Sequence, residues 1–492
     1  MKKSLLSEID ERLAGDAILE DPEIRVWAEE IDRLDIPWFA LFRFEPYALH
    51  FELPLFSEWV PYCFPEAIPL DARSLKTCMA YLLENYEYIL GLPTDCPWAG
   101  EFQSAIRLKI ECDPPVNFVA KEGHFPHQFN LAIQAHFFSD GDNRNALNQY
   151  QKGFDLSGNN DQRALISCYC ALLHCDLGKP DEALALCHAV LALELDETCE
   201  AYLKAAAVEA FAQASATKEN WDEESSYFFS LIKEALAFFK DHHDRIRYAE
   251  LLQNSAAIAR KKGDFSEAIA YLSVAHNVFE EREMTDSIAH VHLAKAGILS
   301  QWGEQNPAFY DQALKHFDHS LETFTPEEYP LLYSDIQLQI AFLYAEKPGE
   351  KSQQLMWRSF SIQSFKNALK TTESAPVQHA RVAHNYASAI AKFGLELGRN
   401  ENPRALELIR SALEVRIGEG FSLERAFSLL TLIEIHWSSL EMGEGNKSDI
   451  LDEITQAIAE IESLTAQPEV LAELKAHKQL LGKGKKEVPA HA

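Results

Sequence analysis

The chain is short of positive charge: 45 Lys and Arg stand against 76 Asp and Glu, a formal net charge of −31. Phosphate backbones and anionic bilayers are held mainly by clustered cations, so this balance argues against direct nucleic-acid or membrane-surface binding. Long apolar runs are missing too. No stretch approaches the roughly 18 apolar residues of a membrane span, and after Leu5 and Leu6 the N-terminal region turns acidic, unlike the apolar core of a signal peptide. The cytoplasm is the expected compartment. Glycine and proline are scarce, 20 and 21 in 492 residues, which excludes wholesale disorder and fibrous repeats.

Cysteine is absent after Cys199, and the nine present show no disulfide-framework spacing, as expected of reduced thiols. The densest group, CYCALLHCDLG, puts Cys168 and Cys175 on one helical face and Cys170 and His174 on another. They cannot converge on one tetrahedral metal, and with Cys187 and Cys199 they read as small buried helix positions. No metal site and no cofactor are expected. Nucleotide-binding, zinc-protease and nucleophile-elbow motifs (GxGxxG, GxxxxGK[ST], HExxH, GxSxG) are absent as well.

What the chain has in abundance is the helix with alanine on its buried stripe. In GDFSEAIAYLSVAHNVFEERE, residues 263–283, a turn glycine is followed by Ala268, Leu272, Ala275 and Phe279 at spacings of four, three and four. Equivalent stretches carry Ala146, Ala183, Ala313 and Ala405, with Phe228 and Ser361 departing from the alanine rule, at steps of about 37 to 48 residues. Each is preceded by another amphipathic helix centred on a small residue, among them Ala171, Ala256, Ala296, Ala341 and Ala387. Small residues on both helices let two backbones approach to the short end of the roughly 8–10 Å interaxial range, as a stacked array requires.

This pattern resembles the tetratricopeptide repeat, in the extended variety of kinesin light chains and bacterial signalling scaffolds. The resemblance implies a mainly α fold, a right-handed superhelical solenoid of antiparallel helix hairpins. About eight hairpins are expected over residues 126–466, then a capping helix at 467–481 and a frayed tail at 482–492. Residues 1–125, crowded with aromatics and prolines, form a distinct segment outside the repeat, with Pro114 and Pro115 as its boundary. Within it LKTCMAYLLENYEYILGL reads as a helix, and SAIRLKIECD as a strand or short helix.

The resemblance also implies a site. In extended repeats an Asn on the first helix of a hairpin reads the backbone of a bound peptide from the concave wall. Asn254 and Asn385 occupy that place, and Gln339 offers a related amide; an amide matches a peptide unit because it both donates and accepts. Arg260 and Lys261, and Arg381, His384 and Lys392, add a basic lining suited to an acidic peptide or a C-terminal carboxylate. The expected function is a non-catalytic scaffold for a protein or peptide partner. Bacterial arrays of this kind are often fused to a caspase-like peptidase, but the missing cysteines mean that any protease or effector must be a separate chain, encoded nearby. Two alternatives stand beside this reading. One is a hydrolase or toxin in residues 1–125, where Cys63, Cys78, Cys96 and Cys112 coexist with His50, His124 and His127. The other is a transcriptional regulator acting through a protein partner.

Overall fold

The structure, a computed structural model, describes residues 4–13, 16–34, 38, 41–51, 62–64, 67–93, 98–110, 124–138, 143–215, 222–241, 244–394, 396–397 and 401–484. The chain divides into two compact units, residues 1–264 and 265–492.

The first unit opens with α1 (Leu5–Arg12), a 3-10 turn (Ala17–Glu20) and α2 (Pro22–Arg33). The Asp32 carboxylate at the end of α2 accepts from Ser4 Oγ (2.7 Å) and from the backbone N–H groups of Leu5 (2.7 Å) and Leu6 (3.0 Å), supplying partners that the first turn of α1 lacks within itself. A three-stranded antiparallel sheet follows, β1 (Phe42–Glu45), β2 (Ala48–Phe51) and β3 (Ala67–Pro69), with Phe42 facing Phe51 and Leu49 facing Ile68. Then come α3 (Ala72–Leu82), α4 (Tyr86–Leu90) and α5 (Ala99–Ile110). The single helix expected from LKTCMAYLLENYEYILGL is thus two. Glu84 takes a positive φ of 55°, and the Asn85 side chain accepts from the Tyr88 N–H at 3.3 Å, so one helix ends and another is capped within four residues. SAIRLKIECD is helical through Ile110; Pro114 and Pro115 lie outside the described residues. One core, including Ile31, Phe42, Leu49, Met79 and Phe102, joins these elements.

Three helix hairpins complete the unit: α6 (Phe125–Phe137) with α7 (Asn143–Leu156), α8 (Asn160–Asp176) with α9 (Pro180–Leu191), and α10 (Glu197–Ser215) with α11 (Asp222–Asp241). α12 (Arg245–Lys262) closes it. Its C-terminus is set by Gly263 at φ +87°, a left-handed position that glycine adopts without strain, and by Asp264 N–H bonding back to the Ala259 carbonyl at 2.9 Å.

The second unit continues with α13 (Phe265–Glu281), then α14 (Thr285–Gly303) paired with α15 (Ala308–Leu321), α16 (Pro330–Glu346) with α17 (Lys351–Lys370), α18 (Pro376–Phe393) with α19 (Asn402–Val415), and α20 (Ser422–Glu441) with α21 (Lys447–Leu464). The last helix, α22 (Pro468–Gly484), buries Val470 and Leu474 in the core that α20 and α21 share.

The fold is mainly α, built of antiparallel helix hairpins, and the small residues sit where helices meet. Ala146, Ala183, Ala268, Ala313 and Ala405 are fully buried, as are Ala296, Ala341 and Ala387 on α14, α16 and α18. The two exceptions keep the register. Phe228 is buried and stacks on Phe211 of α10 at 3.8 Å between ring centroids, and Ala207, Ala210 and Ala214 of that helix are buried as well. Ser361, also fully buried, donates its hydroxyl to the Ala341 carbonyl at 2.8 Å. A core residue facing a helix backbone must satisfy its own polar atoms, and this one does.

Candidate functional site

Helix periodicity decides which of the sequence-predicted residues share a face. On α18, Asn385 follows Arg381 by four positions and precedes Lys392 by seven, so at about 100° per residue all three fall on one stripe. His384 is turned about 100° away from it. On α12, Lys261 shares the Asn254 stripe, whereas Arg260 lies about 120° from it. α12 belongs to the first unit and α16 and α18 to the second.

On the α18 stripe, Arg381 forms an ion pair with Asp335 of α16, which also accepts from Gln378. Gln339 is one turn beyond Asp335 on α16, as Asn385 is one turn beyond Arg381 on α18. The bridge therefore brings the faces bearing the two amides side by side on consecutive first helices. Gln339 is exposed and Asn385 half-buried. Arg381 also borders a small cleft of about 200 Å³ with Val415, Arg416 and Phe421. Lys392 is exposed and faces Glu434.

His384 does not contribute a cation. Desolvation, aided by the nearby Arg416 guanidinium, pushes its pKa down to about 4, and its Nδ1 sits 3.4 Å from Ser428 Oγ. Arg416 is itself committed, donating to Ser428 Oγ at 2.6 Å and to the Glu424 carbonyl at 3.0 Å. The basic lining of α18 is thus Arg381 and Lys392.

Asn254 is half-buried on α12, and neither it nor Asn385 is engaged by another described side chain or backbone group. Arg260 and Lys261 are exposed in the last turn, where the helix dipole favours cations whether or not a ligand is present. Lys262 beside them is turned to Asp264 at 3.0 Å and to the face of Phe229 at 4.9 Å.

The sequence reading missed one residue of this set. Asn130 on α6 lies two positions before the buried Ala132, as Asn254 lies before Ala256, Gln339 before Ala341 and Asn385 before Ala387. The signal was available in FNLAIQAHF. In the structure Asn130 reads a backbone: its Oδ1 accepts from the Cys63 N–H at 2.8 Å and its Nδ2 donates to the Cys63 carbonyl at 2.9 Å, with both residues buried. Residues 62–64 around that contact belong to neither a helix nor a strand. The Cys63 side chain enters the core of α6 and its neighbours, while Tyr62 and Phe64 on either side join the core of the N-terminal elements.

Burial pushes the Cys63 and Cys78 thiols well above their ordinary range, and it raises Cys170, Cys175 and Cys199 to about 12. Among the described residues no cysteine set converges on a metal position. Cys96, Cys112 and Trp59 lie outside the described residues.

No protein family and no curated protein matches the chain. Solved structures similar to it include the apo form of the quorum sensor NprR from B. thuringiensis, at 13% identity and a TM-score of 0.43, over 73% of this chain and 97% of that one. The P58(IPK) TPR domain is similar at 14% identity and a TM-score of 0.22, over 74% and 99% of the two chains. Yeast Tom70 is similar at 13% and 0.24, over 85% and 99%.

Proposed function

We propose that the chain is a non-catalytic scaffold whose first helices bind extended peptide segments of a protein partner, reading their backbones with the amides of Asn254 and Asn385. The observation that carries this reading is the Asn130–Cys63 contact. At the same place relative to the buried alanine, an Asn already holds a non-helical backbone by its N–H and its carbonyl together. Asn254 and Asn385 present the same group with no occupant among the described residues. Lys392, exposed on the Asn385 stripe, and Arg381, once exchanged from Asp335 to a ligand, favour a peptide carrying carboxylates. The reduced thiols suit the cytoplasm. The buried Cys63 and Cys78 weigh against a thiol hydrolase in the N-terminal segment.

The test is selection of binders from a displayed library of unstructured peptides with the full chain, followed by affinity measurement of one selected peptide. The alanine variant of whichever amide, Asn254 or Asn385, lies in the unit that the peptide occupies should weaken it by the cost of one buried amide contact, about 1–3 kcal/mol. N-methylation of a single peptide bond in the selected peptide should weaken it similarly. Affinity indifferent to both amides and to backbone methylation would refute the reading.

A further inference from the structure

Four imidazoles gather on three consecutive helices of the second unit: His276 on α13, His292 on α14, and His316 and His319 on α15. The His292 ring is central, with centroid distances of 5.1 Å to His276, 5.1 Å to His316 and 5.0 Å to His319. Its Nδ1 lies 2.8 Å from the Nδ1 of His316. At that distance one nitrogen donates and the other offers a lone pair, so the two rings cannot both be cationic. His276, His292 and His316 are half-buried and His319 is exposed, so the group opens to solvent. Desolvation first, then the neighbouring imidazoles and Lys295, holds His292 and His316 down to about 4.

We propose that His292 and His316, completed by His319 and His276, form a binding site for a divalent transition-metal ion of the Zn²⁺ class. Two nitrogens at about 2.0–2.1 Å from tetrahedral zinc stand about 3.3 Å apart, so the His292–His316 pair needs to open only slightly. The other two rings stand farther off: among the described residues no three donor atoms of this cluster lie within 4.8 Å of one another, so His319 and His276 have to turn about χ2, a broad torsion for histidine, to complete the set. Carboxylates stand behind them: Glu322 Oε1 is 3.4 Å from His319 Nδ1 and Glu280 Oε2 is 3.9 Å from His276 Nδ1. Against the ion stands Lys295, a buried ammonium whose charge acts on His276, His292 and His316. A second group, Glu434, Glu473 and His477, brings donor atoms within 4.8 Å of one another on α20 and α22, with the His477 Nδ1 buried and without a hydrogen bond among the described residues, but its two carboxylates are exposed.

The experiment is titration of the chelator-stripped full chain with Zn²⁺ by calorimetry and with Co²⁺ by visible absorption. One ion per chain is expected, with Co²⁺ bands of nitrogen-rich tetrahedral ligation. His292→Gln with His316→Gln should weaken Zn²⁺ binding by at least about 10- to 100-fold and abolish the bands. His319→Ala, at an exposed position where folding is not at issue, should also weaken binding, and Lys295→Met should strengthen it by removing an opposing charge. The proposal is overturned if the full chain takes up no Zn²⁺, if the folded His319→Ala and His292/His316 variants bind as wild type does, or if binding survives in them and is lost in Glu434→Ala with His477→Ala.

Discussion

Ser361 and Ala341 face each other across the α16–α17 hairpin, the serine hydroxyl donating to the alanine carbonyl at 2.8 Å with both residues fully buried. The site therefore demands small size first and a satisfied hydroxyl second. Ser361→Ala should cost about 0.5–1.5 kcal/mol, the net worth of one hydrogen bond. Ser361→Leu should cost more, about 1–3 kcal/mol or above, because the backbones cannot separate without disturbing the hairpin. Urea denaturation of the two variants checks the order; a Leu variant as stable as the Ala variant would show that the helices are not in close contact here.

Asn130 holds both polar groups of Cys63 in a buried seam. Removing its amide in Asn130→Ala leaves a donor and an acceptor without partners, at roughly 1–3 kcal/mol for each. Amide hydrogen exchange at Cys63 and its neighbours should accelerate in the same variant. Unchanged exchange would mean that the seam is held by side-chain packing alone.

Ala268 and Glu267 are adjacent on α13, but Ala268 is fully buried while Glu267 is exposed and accepts from the Tyr271 hydroxyl at 2.8 Å. Ala268→Phe should lower the melting temperature through overpacking of about 1–3 kcal/mol. Glu267→Gln, which keeps an acceptor for Tyr271, should shift it little. Equal shifts would place the helix in another register.

His384 should make folding sensitive to acid. Its pKa is about 4 in the folded chain against about 6.5 unfolded, so between these values the unfolded chain binds more protons. Its contribution is fully present above about 6.5 and is lost as the pH falls toward about 4. His384→Gln removes the titrating group, and the loss of stability on acidification, followed by denaturation at neutral and mildly acid pH, should become shallower. An unaltered pH dependence would show that His384 titrates normally.

Much of the helical architecture was legible because a helix hairpin is a local object. Apolar residues at spacings of three and four define each stripe, the left-handed Gly263 ends α12, and in pairs such as α14 with α15 the second helix follows a few residues after the first. Ala146, Ala183, Ala268, Ala313 and Ala405 announce the close contacts by their size alone. Other features depend on partners that periodicity does not encode. Phe228 stacks on Phe211 of α10, and Ser361 fits because a carbonyl awaits its hydroxyl. Three strands of three or four residues, each supported by pairing and by a shared core, leave too short a pattern to be read from their own residues.

The candidate site divides in the same way. Sequence alone determined that amides and cations recur on the first helices, since residue type and helical register are properties of the chain itself. Only tertiary structure decided that His384 is neutral, because burial beside Arg416 sets its charge. Only tertiary structure brought Asn130 to Cys63, 67 positions away, and His292 to His316, 24 positions away. Such contacts are made by the packing of separate helices and segments, and the free energy that favours them comes from burial shared among elements rather than from any one stretch of sequence.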